Sequence, residues 1–395
     1  MPKTQSQPKN WQKMKFKDFA DTSPSVKLER GKEYPFIPMD VVDGQHKFPL
    51  EVKRKIFSGG GAKFTNGDTI FARITPCLEN GKIAMIKSLE EEVGFGSTEF
   101  FVFRGKDGVS DSDFVYYLSR TDTIRDPAVK SMVGASGRQR ADKAVVDNVQ
   151  VLAPSLSQQK QIADILSAYD DLIENNTRRI KILEQIAQAI YKEWFVGNSK
   201  FKNQKAKLSE VVKPQYGYTE SAQNKPVGPK YLRGMDINKT SYIDWSTVPY
   251  CEISNEDKKK YRLEKGDIVV IRMADPGKIG IMEQDADAVF ASYLIRLKII
   301  DDRISPYYLF YFLISDQYQN YIQGASGGTT RKSASAGVVV GTDIVIPPKE
   351  LVDKFEEKIS LLRAELNNLL VQNSNLRQAR DLLLPKLVGG EIEVG

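Results

Sequence analysis

Histidine occurs once in the 395 residues, at His46, and cysteine twice, at Cys77 and Cys251. That scarcity argues against a zinc site of cysteines and histidines, a Cys–His catalytic pair acting with a second histidine, and a disulfide framework. Two cysteines suit a reducing cytoplasm. No apolar run approaches the roughly 18 residues of a membrane-spanning helix, so no membrane association is expected. The opening MPKTQSQPKNWQKMK has no apolar core of a signal peptide. Neither a G-x-x-x-x-G-K-[ST] phosphate loop nor a G-x-G-x-x-G after a strand occurs, and H-E-x-x-H and G-x-S-x-G are also missing. Asp126–Pro127–Ala128 and Asp275–Pro276–Gly277 come nearest to [DN]-P-P-[YF], the grip of amino-methyltransferases on a flipped base, and do not match it. Carboxylates are numerous, but no Asp/Glu cluster recurs at matching places in the two halves of the chain.

What is present is a soluble, mildly basic composition: 41% hydrophobic, 27% charged, net charge +6. Such a balance permits nucleic-acid binding without requiring it. The longest uninterrupted helical pattern runs from Pro154 to Phe195, without Gly or Pro inside it. Ile162, Leu166, Tyr169, Ile173, Asn176, Ile180, Leu183, Ala187, Ile190 and Trp194 recur at steps of four and three. This is a coiled-coil seam with one polar break, Asn176. Ser155 and Gln158 form a capping box after Pro154. A helix of about 40 residues is roughly 60 Å long, and its single stripe needs a partner helix.

The partner lies in the same chain. PFIPMDVV (35–42) returns as PKYLRGMDI (229–237), GDTIFARI (67–74) as GDIVVIRM (266–273), and GKIAMI (81–86) as GKIGIM (277–282). Tyr116–Tyr117–Leu118 returns as Tyr307–Tyr308–Leu309, ASGRQR (135–140) as ASGGTTRK (325–332), and VLAP (151–154) as IVIP (344–347). Six blocks in one order, offset by 190 to 199 residues, mark an internal duplication. The helix is duplicated too: Val352, Phe355, Ile359, Leu362, Leu366, Leu369, Asn373 and Leu376 again step by three and four, with Asn373 as a polar break. The expected fold is α+β. Two mixed α/β domains, 1–153 and 198–347, are separated by two long helical segments, 154–197 and 348–395. The helices pair as an antiparallel coiled coil with pseudo-twofold symmetry, and Asn176 and Asn373 set register or pairing.

Several repeated positions suit nucleic acid. The loop ASGRQR offers Ser136, Arg138, Gln139 and Arg140; its counterpart offers Thr329, Thr330, Arg331 and Lys332. Arg and Gln read base edges bidentately, while Lys, Ser and Thr hold phosphates. Arg73 and Arg272, and Lys82 and Lys278, stand at matching strand ends. Each suits a phosphate contact, or equally a salt bridge or a stem packed on a sheet. Tyr216, Tyr218 and Thr219, around Gly217, suit stacking or hydrogen bonding to nucleic acid, or capping of a domain core.

These residues lead to a family resemblance that covers essentially the whole chain. The helix entry Pro154–Leu156–Gln159–Ile162 and exit Trp194–Phe195 resemble the central conserved region of the specificity subunits of type I restriction–modification systems. The tail Leu382–Leu383–Leu384–Pro385–Lys386–Leu387, then Gly389–Gly390–Glu391–Ile392, is similar to their C-terminal region, and Tyr216–Gly217–Tyr218–Thr219 to the start of a recognition domain. In the first domain DTSPSVKLE (21–29) stands where such a string would be. The resemblance implies a non-catalytic reader of double-stranded DNA in the cytoplasm. Each recognition domain would read half of a split, asymmetric target. The helices would set the spacer and dock two methyltransferase subunits, which bring S-adenosylmethionine; restriction subunits would bring ATP- and Mg-dependent cleavage. The chain itself would bind no cofactor or metal. Two other functions compete with this one: a self-contained nuclease or methyltransferase, and a coiled-coil scaffold that binds no DNA.

Overall fold

In the computed structural model, residues 11–135, 137–196, 201, 204–327 and 332–394 are described. Two compact units emerge, Met1–Thr177 with Gln372–Gly395, and Arg178–Val371. Each unit takes a globular domain and a stretch of both long helices.

The first unit is built on an antiparallel sheet in the order Ala20–Asp21, Phe100–Gly105, Thr69–Ala72, Ile83–Met85. Side chains alternate along each strand, and both faces are covered. Phe71, Ile83, Met85, Phe101 and Phe103 join a core with the helices Ser112–Arg120 and Asp122–Lys130. Ile70, Ala72, Ala84, Phe100 and Val102 enter a second core. A four-stranded sheet, Lys53–Ile56, Glu33–Ile37, Val93–Gly96 and Ala62–Thr65, contributes Ile37 and Phe64 to that second core. Burial on both sides of the first sheet matches the apolar runs of Thr69–Ala72, Ile83–Met85 and the start of Phe100–Gly105.

The second unit repeats the plan. Its sheet runs Val212–Tyr216, Leu294–Ile299, Ile268–Ile271, Ile279–Ile281, all antiparallel. One face packs with the helix Pro306–Ile314 and the other with Leu232, Val248 and Phe290. The repeated Gly–Asp pair has a structural cause. Gly67 and Gly266 take φ of +89° and +92°, the left-handed region that glycine enters at little cost. Asp68 then accepts the backbone N–H of Thr65 and both arms of Arg104. Asp267 likewise accepts from Glu264 N–H and Arg296.

The long helices are Leu156–Phe195 and Lys349–Val388, 40 residues each. Ser155 and Gln158 close the capping box reciprocally at 3.3 Å. In the first unit Ile162 and Leu166 share a core with Leu384, Leu387 and Val388. Asp170 pairs with Arg380, and Asn176 Nδ2 donates to Asn373 Oδ1 at 3.0 Å. Partner numbers fall as residue numbers rise, so the helices run antiparallel. In the second unit Arg179 meets Glu365, Ile180 packs with Leu366, Leu369 and Leu370, and Tyr191 and Phe195 meet Phe355. This pairing is antiparallel as well. The two asparagines are not each other's counterparts in the duplication. The helices start 193 residues apart, which makes Leu369 the counterpart of Asn176 and Ile180 that of Asn373. One layer holds both amides, and its counterpart is apolar.

Candidate nucleic-acid interface

The positively charged loops hang by main-chain bonds from the ends of inner strands of the central sheets. In the first unit Val133 and Arg140 exchange backbone hydrogen bonds of 3.1 and 3.0 Å, Ala141 N–H donates to Arg73 O, and Thr75 N–H donates to Gln139 O. In the second, Gly327 and Ser333 exchange bonds of 3.1 and 2.9 Å, and Ala334 N–H donates to Arg272 O. Ala141 and Ala334 are both buried. The chain thus closes a hairpin-like loop at the same place in each copy, beside the same arginine.

Those two arginines are also held alike. The guanidinium of Arg73 lies 5.1 Å from the Phe101 ring centre and that of Arg272 5.0 Å from the Tyr216 ring. Their backbone N–H groups donate to Glu99 O and Tyr293 O. In both, the Nε is buried without a hydrogen-bond acceptor among the described residues. Cation–π geometry fixes the plane of each guanidinium.

The surroundings then diverge. In the first unit, Arg140 grips Glu99 through Nε and Nη2, at 2.9 and 2.7 Å for the shorter contacts, and Arg73 Nε comes within 3.7 Å of the same carboxylate. The Arg140 guanidinium holds the Glu99 carboxyl below the ordinary carboxylate range. Arg138 is exposed, and Gln139 is half-buried with its N–H donating to Thr75 Oγ1. In the second unit the place of Glu99 is taken by Tyr293, 56% exposed. Tyr216 is 44% exposed, and its hydroxyl accepts the N–H of Ala336. Lys332 is exposed and reaches Gln323 Oε1 at 3.1 Å. Ser136, Thr329, Thr330 and Arg331 lie outside the described residues.

Other expected positions separate from this group. Lys82 donates to Met39 O at 2.8 Å, so its ammonium ties two loops of the domain together, while its counterpart Lys278 is exposed. Tyr218 is half-buried; its ring packs against Tyr261 and its carbonyl accepts Tyr231 OH. Between the tyrosines, a Cβ on Gly217 would sit 2.2 Å from Ala291 O, so the close approach to that strand demands glycine. Thr219 is exposed. The string Tyr216–Gly217–Tyr218–Thr219 therefore combines an outward ring, a steric requirement, an inward ring and an exposed hydroxyl.

Sequence reasoning missed Glu99 and Tyr293. Both lie at the counterpart turn before or within the strand beside Arg73 or Arg272, and alignment of the repeats alone brings them into register. It also missed the buried charges on the helices, Asp170, Arg363 and Arg380, each 3% exposed or less. Among the described residues, no group of three metal-ligating side chains occurs and no helix is long and apolar enough to cross a membrane.

Comparison with known proteins adds the following. The family model for the type I restriction modification DNA specificity domain matches residues 8–185 and again 200–370. The MjaIX specificity subunit of a type I restriction enzyme from Methanocaldococcus jannaschii is 26% identical, over 98% of this chain and 94% of its own. The HindI specificity subunit from Haemophilus influenzae is 24% identical, over 82% and 86%. The solved S subunit of a type I restriction–modification system from M. genitalium shares the fold, with a TM-score of 0.52 at 16% identity over 96% of each chain.

Proposed function

Because the chain belongs to the type I restriction modification DNA specificity family and carries two copies of its domain, we propose that residues 1–153 and 198–347 each read one half of a bipartite, asymmetric DNA target. Segments 154–197 and 348–395 set the spacer between the halves and dock two methyltransferase subunits. The chain is the DNA-specificity subunit, and it is not the catalytic component. Adenine methylation with S-adenosylmethionine belongs to the methyltransferase partners. ATP- and Mg-dependent cleavage belongs to restriction subunits, all within the cytoplasm.

The observation that carries the residue assignment is the loop hung beside a ring-stacked arginine in both copies. Arg73, Arg138, Gln139 and Arg140 form the reading edge of the first domain, with Ser136. Tyr216, Thr219, Arg272 and Lys332 form that of the second, with Thr329, Thr330 and Arg331. Lys278 contributes a phosphate contact; Lys82 and Tyr218 support the edge from within. Asn176 and Asn373 act in helix pairing.

The test is to co-express the chain with its methyltransferase subunit and map methylated adenines. Alanine at Arg138 and Arg140 is expected to alter one half of the target only, and alanine at Arg331 and Lys332 the other. Removing one phosphate-binding cation lowers the salt slope of duplex binding by about 0.9. An unchanged methylation pattern and unchanged affinity in both variants would remove the loop assignment. Methylation by the chain alone would instead favour a self-contained enzyme.

A further inference from the structure

The helical pair is asymmetric in a way that duplication does not require. Moving each residue by the 193-residue spacing of the helices takes Asp170 to Arg363, Arg380 to Ala187, Asn176 to Leu369 and Asn373 to Ile180. Two copies descended from one ancestor could in principle pair each helix with a second copy of itself, in the same antiparallel register. We propose that the buried polar layers forbid this: each long helix fits the other helix of the chain and mismatches a second copy of itself.

The consequences follow layer by layer. Asp170 is matched by Arg380, both 3% exposed or less, and also accepts Tyr117 OH at 2.6 Å. If two Leu156–Phe195 helices paired, Asp170 would face Ala187, and a buried carboxylate would lose its cation. If two Lys349–Val388 helices paired, Arg380 would face Arg363. That arginine is 1% exposed and already held by Glu283 through two hydrogen bonds of 2.6 Å. A second guanidinium there brings like charge and no acceptor. The amides behave likewise. Asn176 and Asn373 satisfy each other, whereas in the self-pairings Asn176 would face Ile180 and Asn373 would face Leu369. A buried amide against hydrocarbon loses its hydrogen bond without regaining water. Each mismatch would occur twice in a symmetric pair. The correct pairing gathers both amides into one layer and leaves Ile180 with Leu366, Leu369 and Leu370 in a dry one. A buried asparagine selecting one pairing is an established use of this residue in coiled coils, as are charges arranged against the wrong partner. The chemistry also defines the kind of foreign helix that could substitute for Lys349–Val388. It must carry an amide and a cation at the places of Asn373 and Arg380.

The experiment uses the full chain and involves no DNA, so its outcome is independent of the reading proposed above. Val371, 55% exposed, lies midway between Leu369 and Asn373, at the point that maps onto itself when two Lys349–Val388 helices pair. A chain with Val371→Cys, and with Cys77 and Cys251 changed to Ser, is unfolded, refolded at rising concentration and treated with a short bis-maleimide. Covalent dimer reports self-pairing of that helix. With the native helices the dimer is expected at collision background. The exchange Asp170→Arg with Arg380→Asp keeps the internal pair and, in the self-pairing, sets the carboxylate introduced at position 380 against Arg363. It is expected to raise the dimer at least about ten-fold. Should the exchanged chain fail to fold by circular dichroism, Asn176→Leu with Asn373→Leu, which removes both amide mismatches, is expected to raise the dimer in the same assay. Native helices that cross-link as readily as the variants, or folded variants that stay at background, would overturn the proposal.

Discussion

Replacing Asp170 by alanine removes the buried one of the two carboxylates on Arg380, in a place where neither Asp170 nor Arg380 meets water. It also leaves Tyr117 OH without the carboxylate oxygen it reaches at 2.6 Å. Burial and the Asp170 charge together push the Tyr117 phenol far above its ordinary value, so the hydroxyl remains a donor at any accessible pH. Breaking a buried pair from one side costs about 3–5 kcal/mol. Arg380 keeps Asp381 at 2.9 Å and Gln45 O at 3.2 Å, which favours the lower end, about 3 kcal/mol. For a cooperative unit of roughly 200 residues, each kcal/mol moves the melting temperature by about 2–4 °C. The expected loss is therefore about 6–12 °C, measured by calorimetry or by the urea midpoint. The pair Asp170→Leu with Arg380→Met should recover most of it, because an apolar replacement leaves no uncompensated charge. A loss below about 1 kcal/mol in the single variant would refute the reasoning. So would a double variant no more stable than the single one, since the cost would then lie in shape and not in charge.

Gly217→Ala should destabilise the second unit by about 1–3 kcal/mol, as an overpacked site does; an unchanged urea midpoint would contradict the 2.2 Å approach to Ala291 O. Glu99→Gln releases Arg140 and Arg73 from their shared carboxylate. Non-specific duplex affinity and its salt slope are expected to rise, the slope by up to about 0.9 per freed arginine. The same carboxylate sets a pH dependence. Its folded pKa is depressed, so its stabilising contribution is present above the unfolded value of about 4.3 and is lost as pH falls through the folded value. Protection against hydrogen exchange around residues 138–140 should fall as pH drops through the depressed Glu99 value in the native chain and show no such step in Glu99→Gln. Inserting one heptad in each long helix, after Thr177 and before Gln372, should change the spacer of the methylated target and leave its half-sites as they were. Altered half-sites would end the spacer reading.

The duplication, both 40-residue helices and the capping box of the first were legible because they rest on local signals: period, Gly and Pro punctuation, and repeated strings. The repeated Gly–Asp turn was visible as a string, but its cause was not. Arg104 and Arg296 arrive from strands 36 and 29 residues away. The two repeated polar loops were legible as loops. That Arg140 is engaged by Glu99, and Lys82 by Met39 O, depends on pairings 41 and 43 residues apart that no periodicity encodes. The asparagines were legible as breaks in the seams, but not as each other's partners. Each breaks its own seam, and the antiparallel register brings both into a single layer. Arg363 and Arg380 escaped notice because long cationic side chains on a helix are ordinarily solvated.

The main-chain attachment of the two repeated loops has a bearing on how such a chain can change over generations. Val133 with Arg140, Gly327 with Ser333, and the Ala141 and Ala334 N–H groups bind through peptide atoms that every residue type except proline supplies. On the function proposed above, selection for a new target can exchange side chains in these loops as a cassette, while the main-chain bonds that anchor them stay as they are.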